Sequence, residues 1–229
     1  RVDSTEVVSI AEIATKTIVQ LQVGERNQED EFISIGGGSG VVIDQKGLII
    51  TNHHVIENAT DVRVIFEDGR MYEASIVGSD KLTDIGVVKI ENDNLSPINF
   101  GNSEGVFVGD LAVAIGHPLT LGAAPTVTTG VISALDRRLD VGSEAMNNAV
   151  TLFGLIQTDA PITRGSSGGA LLNSSGELIG ITTAIATADV GAEGLGFAVP
   201  INLALGIVED ILDDGKVFHA FLGILGAQY

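Results

Sequence analysis

Short apolar runs, broken every few residues by turn-forming clusters, dominate the chain and predict strands joined by tight turns. Val41–Ile43 and Leu48–Ile50 flank Asp44-Gln45-Lys46-Gly47, and Val62–Phe66 and Met71–Val77 flank Glu67-Asp68-Gly69-Arg70, so both sets read as hairpins. Leu111–Ile115, Val127–Ser133, Ala170–Leu172 and Leu178–Thr182 supply further strands. This spacing suits a barrel or a sandwich. Helical patterning is confined to the ends. Val7–Gln20 has mixed apolar spacing that suits a helix at its start, and Ile201, Leu205, Val208 and Leu212 form a stripe beginning after Pro200 and stopping before Gly215. Arg137–Thr151 lacks strand periodicity and reads as a long loop, a kind of segment that is often functional.

Composition narrows the picture. At 229 residues, 45% of them hydrophobic and 29 of them glycine, the chain can bury a sizeable core in one structural unit, as all-β proteins of this size do. No apolar run reaches the roughly 18 residues of a membrane-spanning helix. The absence of cysteine excludes disulfides and thiol catalysis. A net charge of −18 provides no basic face for nucleic-acid phosphates and disfavours anionic membrane surfaces; solubility is its simplest consequence.

Candidate chemistry concentrates in Thr163-Arg164-Gly165-Ser166-Ser167-Gly168-Gly169-Ala170-Leu171, where two hydroxyls sit among glycines before an apolar strand. A backbone with so little side-chain bulk can approach a reacting carbonyl and offer it N–H groups, although most Gly/Ser clusters are ordinary turns. The partners a serine nucleophile needs are present elsewhere. Thr51-Asn52-His53-His54-Val55 offers an imidazole as general base, and Asp84 opens the run Asp84–Ile90 as a carboxylate able to orient it. The chain order His, Asp, Ser is that of chymotrypsin-type enzymes, not of subtilisin or α/β-hydrolase types, and the Gly-x-Ser-x-Gly elbow of esterases is absent. Other polar residues have duller readings. Adjacent strand positions would point His53 and His54 to opposite faces, and no third Cys or His has suitable spacing, so no metal is expected. His117, before Pro118, reads as a turn residue, and His219 as part of a solvated tail. Gly36–Gly40 lacks the ending of a phosphate loop and reads instead as close backbone approach within a barrel.

TNHHV (51–55), TDIGVVKI (83–90) and TDAPITRGSSGGALLNSSGELIGI (158–181) together resemble the motifs of the HtrA/Deg family of chymotrypsin-like serine proteases. The resemblance runs from about Ser39 to Gly223. It implies an all-β fold of two packed six-stranded antiparallel β-barrels, with an N-terminal segment (1–35), a first barrel (36–116), a second barrel (117–200) and a C-terminal helix and tail (201–229). Position by position it makes His54 the base, Asp84 its orienter and Ser167 the nucleophile, with the N–H groups of Gly165 and Ser167 as the oxyanion hole. Ser166 stands where the family usually carries Asn, and Thr163-Arg164 where it carries Asn-Pro, which frees an N–H and removes a restraint next to the hole. An uncharged Ser166 cannot pair with a newly cleaved N-terminus, so loop ordering is the expected control of activity.

For substrate binding the resemblance points to Pro161, Ile162, Arg164, Thr183, Ala184 and Ile185, with Thr187–Gly194 as a loop near the pocket. Pro161 lies six residues before Ser167, where an Asp would select basic side chains, so cleavage after small to medium aliphatic residues is expected. The resemblance further implies unfolded or misfolded polypeptide substrates in protein quality control and stress response. It also implies no cofactor, a homotrimer formed through residues before Gly36, an extracytoplasmic location, and a PDZ domain following Phe218–Ile224 in the full-length protein. The competing expectation is a catalytically silent, chaperone-like or peptide-binding relative with the same cleft.

Overall fold

The computed structural model describes residues 4–92, 94–118, 124–141, 150–183 and 195–220. Twelve strands among them form two closed six-stranded antiparallel barrels. The first contains β1 (Ile18–Arg26), β2 (Phe32–Val42), β3 (Leu48–Thr51), β4 (Asp61–Ile65), β5 (Met71–Asp80) and β6 (Ile85–Ile90), in the order β1-β2-β3-β6-β5-β4. The second contains β7 (Leu111–Gly116), β8 (Thr126–Val141), β9 (Val150–Thr158), β10 (Ala170–Leu172), β11 (Leu178–Thr183) and β12 (Gly196–Pro200), in the order β10-β11-β12-β9-β8-β7. Helices are few: α1 (Ser4–Ala14), the single turn α2 (His53–Ile56) and α3 (Ile201–Asp214).

Period-2 alternation explains how the barrels pack. Along β1, Val19, Leu21 and Val23 fill the first barrel with Val42, Ile49, Val64, Val88 and Ile90. The alternate residues Ile18, Val41, Ile50, Ile85 and Val87 point the other way, into a seam shared with Val113, Ile115, Ala170, Leu172 and Val199 of the second barrel. On the second barrel's strands, Ala112, Ala114, Ile132, Ile156, Leu171 and Ala198 fill the interior. A buried seam therefore joins the barrels, and the strands bordering it are apolar on both faces.

That seam moves the expected boundaries. Residues 18–26, assigned to an N-terminal segment, form a first-barrel strand, and residues 111–116, assigned to the first barrel, form a second-barrel strand. The connection between barrels is instead the stretch from Glu91 to Asp110. It lacks linker composition because it is tied down on both sides: Leu95 and Ile98 are buried, their N–H groups donate to Gln45 and Val42, and the Leu178 N–H donates to Asn99.

Two further expectations need correction. Arg137–Thr151 is not one long loop, because β8 and β9 continue pairing through Arg137↔Leu155, Leu139↔Leu152 and Val141↔Val150; residues 142–149 lie outside the described residues. Register shifts and an exposed Arg138–Asp140 pair hide the alternation there. In α3 the buried face is Ile201, Ala204, Ile207, Val208 and Ile211, whereas Leu205 is half-buried and Leu212 exposed, so the expected stripe is rotated. Small Ala204 and the close fit of Ile211 over Gly78, whose added Cβ would lie 2.7 Å from Ile211 Cγ2, bring α3 down on the seam and on β5.

Candidate active site

The chain leaves β3 at Thr51 and turns at once into α2, so His53 and His54 stand on a helical turn, not on the strand expected for them. They have different partners all the same. His53 Nδ1 is 2.8 Å from Ser79 Oγ, while His54 Nδ1 is 2.9 Å from both Oδ1 and Oδ2 of Asp84. Among the described residues no three His, Cys, Asp or Glu side chains converge as a metal-binding set.

Asp84 sits directly before β6 with φ 58, a left-handed conformation that Asp tolerates better than most residues. Its side chain is 5% exposed, and hydrogen bonds hold it at both ends. The carbonyl accepts from Asn52 Nδ2 at 2.9 Å and from the His53 N–H at 3.1 Å. The carboxylate accepts from the His54 N–H at 3.0 Å and from the Thr183 hydroxyl at 3.2 Å. Thr183, expected to face substrate, is buried and directs its hydroxyl at Asp84.

Ser167 lies between β9 and β10 on two consecutive tight turns. The Ser166 N–H donates to the Thr163 carbonyl at 2.9 Å across Gly165, whose φ of 96 suits glycine alone, and the Gly169 N–H donates to the Ser166 carbonyl at 3.0 Å across Gly168 at φ 83. Gly168 also runs so close to the first barrel that a Cβ there would collide with the Ser39 carbonyl and the Thr51 hydroxyl. The turn is anchored to that barrel by Ser39. Its N–H donates to the Ser167 carbonyl at 2.7 Å, and its hydroxyl donates to the Gly165 carbonyl at 2.8 Å while accepting the His117 N–H at 2.7 Å. Thr182 supports the turn from its own barrel, its hydroxyl donating to the Ser166 carbonyl at 2.6 Å. The Gly165 N–H has no acceptor among the described residues.

Ser39 is the residue that sequence reasoning passed over. Gly36–Gly40 signalled close backbone approach within the first barrel, which holds at Gly40, where a Cβ would lie 2.6 Å from Ile49 Cγ2, but Gly38 approaches the opposite barrel: a Cβ there would lie 2.8 Å from the Ser167 carbonyl oxygen. His117 was read as a turn residue, yet it is fully buried, with Nε2 3.3 Å from the Ile18 carbonyl. Burial pushes its pKa below the ordinary histidine value, against the opposing pull of that carbonyl. His219 is not simply a solvated tail residue, because its Nε2 lies 2.8 Å from Asp80 Oδ1.

The expected substrate contacts divide. Pro161 is exposed and, with Thr128, Thr163, Ser166 and Thr182, lines a small cavity beside the Ser166 turn. Arg164 is exposed. Ile162 is buried and packs into the second-barrel core against Gly196, which removes it from the surface. Ala184, Ile185 and the loop 187–194 lie outside the described residues.

Residues 38–181 match the trypsin-like peptidase domain family. Over 203 residues, 88% of the chain, the sequence is 44% identical to the periplasmic serine endoprotease DegP of Escherichia coli K12. Over 200 residues, 86% of the chain, it is 44% identical to the serine endoprotease DegS of Haemophilus influenzae. The chain spans 40% of the first relative and 56% of the second. Among solved structures, the HtrA-type protease AlgW with a tripeptide is similar at TM-score 0.78 and 37% identity, over 92% of this chain and 65% of that one. The serine endoprotease from Yersinia pestis is similar at TM-score 0.77 and 37% identity, over 96% of this chain and 71% of that one.

Proposed function

The chain belongs to the HtrA/Deg family of trypsin-like serine proteases, and from that premise we propose that it is a serine endopeptidase working through Ser167, His54 and Asp84. With both Asp84 oxygens at hydrogen-bonding distance from Nδ1, the His54 ring holds its proton on Nδ1 and leaves Nε2 basic toward Ser167. Nε2 removes the Ser167 proton as Oγ attacks the peptide carbonyl carbon. The resulting oxyanion is received by the N–H groups of Gly165 and Ser167, each such donor being typically worth about 3 kcal/mol. Nε2 then passes the proton to the leaving amine, and water, activated by the same imidazole, hydrolyses the acyl-enzyme.

One observation carries this reading: the first barrel both presents the His54–Asp84 pair and anchors the Ser167 turn through Ser39, so the cleft between barrels is where the three residues can act together. That the Gly165 N–H meets no acceptor among the described residues supports its part in the hole. Pro161, uncharged where a carboxylate would select basic side chains, supports cleavage after small to medium aliphatic residues in unfolded polypeptides. An extracytoplasmic site follows from relatives named as periplasmic. A homotrimer formed through residues before Gly36 and a following PDZ domain complete the proposal.

Labelling with a fluorophosphonate tests it. The wild-type chain and Ser166→Ala should label, and Ser167→Ala should not. Failure of the folded wild type to label would favour a peptide-binding relative instead.

A further inference from the structure

The turn from β5 to β6 contains a carboxylate for which the proposed triad has no use. Asp80 ends β5 and is 9% exposed. Its Oδ2 accepts the Thr83 N–H at 2.8 Å and the Thr83 hydroxyl at 2.6 Å, while Oδ1 lies 2.8 Å from Nε2 of His219, 139 residues further along the chain. Burial works against ionisation of Asp80, but the Thr83 hydrogen bonds and His219 outweigh it and hold the carboxyl below the usual carboxylate range. A buried carboxylate with both oxygens engaged, one by Thr83 and one by His219, is more than a turn needs.

Thr83 is bonded directly to Asp84, whose left-handed φ of 58 aims its carboxylate back at His54. Backbone in that region persists only where its surroundings over-determine it. On the far side of Asp84 this is done by Asn52 and the His53 N–H, which grip the carbonyl. On the near side it is Asp80, by accepting the N–H and hydroxyl of Thr83. His219 comes from the irregular stretch 217–220 beyond α3, so it brings the tail onto this turn.

We propose that Asp80 is a positioning residue for Asp84, and that His219 clasps it, so that docking of the tail beyond α3 sets the orientation of the Asp84 carboxylate toward His54. The proposal rests on the triad reading above. A binding event or load on residues 216–220 reaches the site through two side chains, His219 and Asp80, and one peptide unit.

The test uses the whole chain in five variants, each read by kcat and KM on an unfolded polypeptide and by the far-downfield proton resonance of the His54–Asp84 hydrogen bond. Asp80→Ala should lower kcat about 10- to 100-fold, leave KM within about twofold, and shift or broaden the resonance. His219→Ala should move both readouts the same way by about three- to tenfold in kcat, and adding it to Asp80→Ala should cost nothing further, because the two act as one unit. Thr83→Val should mimic Asp80→Ala, and Thr83→Ser should restore the wild-type values. An unchanged kcat and resonance in folded Asp80→Ala, or independent losses in the double variant, overturns the proposal. If Asp80→Ala does not fold, His219→Ala decides, since its tail lies outside both barrels. If the wild type fails to label at Ser167, the triad reading falls, while the resonance in His219→Ala still decides the clasp.

Discussion

His54 and Asp84 are held almost entirely by the barrel that carries them, whereas the Ser167 turn is held by both: Thr182 of its own barrel bonds Ser166, Gly168 and Gly169, and Ser39 of the opposite barrel bonds Gly165 and Ser167. Around Asp84 the donors are Asn52, His53 and His54, all from the β3–α2 corner, and among the described residues only Thr183 reaches over from the second barrel. Around Ser167, Ser39 fixes the carbonyls on either side of Ser166, and the Ser39 carbonyl and Thr51 hydroxyl leave room for glycine alone at Gly168. The difference teaches that the base and its orienter assemble when one barrel folds, while the nucleophile turn, shaped by its own barrel, completes its geometry when the barrels dock and Ser39 engages the Gly165 and Ser167 carbonyls. Damage at the seam should therefore fall on Ser167 before it reaches His54.

The largest effect should come from within the self-sufficient half. Asp84→Asn puts a donor opposite His54 Nδ1 and forces the ring into the tautomer with a protonated Nε2, so kcat should drop about 10⁴-fold with the fold intact. Steady-state kinetics beside an unchanged circular dichroism spectrum checks this. Next, Gly168→Ala combines a left-handed φ with a collision against Ser39 and Thr51, and should destabilise by about 3 kcal/mol or more and abolish labelling of Ser167. A melting temperature close to wild type would show that the barrels are not held as tightly as the contacts imply. Thr183→Val removes a second-barrel donor to Asp84, so kcat should fall by no more than about tenfold. A loss as large as that of Asp84→Asn would make the first barrel dependent on the second and dissolve the contrast.

The smallest effect concerns the seam itself and depends on pH. His117 is buried with its pKa lowered by burial, so as pH falls below about 6.5 the unfolded chain takes up a proton that the folded chain refuses. Stability should decline with falling pH through that range and stop declining once pH passes below the folded-state pKa. Thermal melts between about pH 7 and pH 5 should show a shallower decline in His117→Gln than in wild type. The lowered pKa of Asp80 acts in a different window, since its stabilisation is lost only as pH falls below the ordinary carboxylate range.

Much of this was legible because it is local. TNHHV, TDIGVVKI and the Gly/Ser segment each keep a corner's chemistry within a few residues, so His54, Asp84 and Ser167 stood out as candidates before any tertiary contact was known. Hairpins such as β2–β3 and β4–β5 announce themselves through their turn residues. What stayed hidden depends on distant pairing. Residues 7–20 run the end of α1 into the start of β1, so their mixed apolar spacing fits neither a helix nor a strand alone and hid the strand's first residues. The barrel boundary carries no Gly/Ser signal because its residues are hydrogen-bonded to both sides. Nothing near Ser39 in the chain indicates Gly165, 126 residues away, and nothing near Asp80 indicates His219. For Thr183, a strand assignment could not tell which way the hydroxyl would face.

The most direct test of the contrast is Ser39→Ala, which keeps the seam's shape and removes only the hydroxyl that reaches the Gly165 carbonyl. Fluorophosphonate labelling of Ser167 should slow by about tenfold or more, while the His54–Asp84 proton resonance stays at its wild-type position. Loss of both signals together, or a labelling rate indistinguishable from wild type, would contradict the account that the first barrel holds its own pair and lends the second its nucleophile geometry.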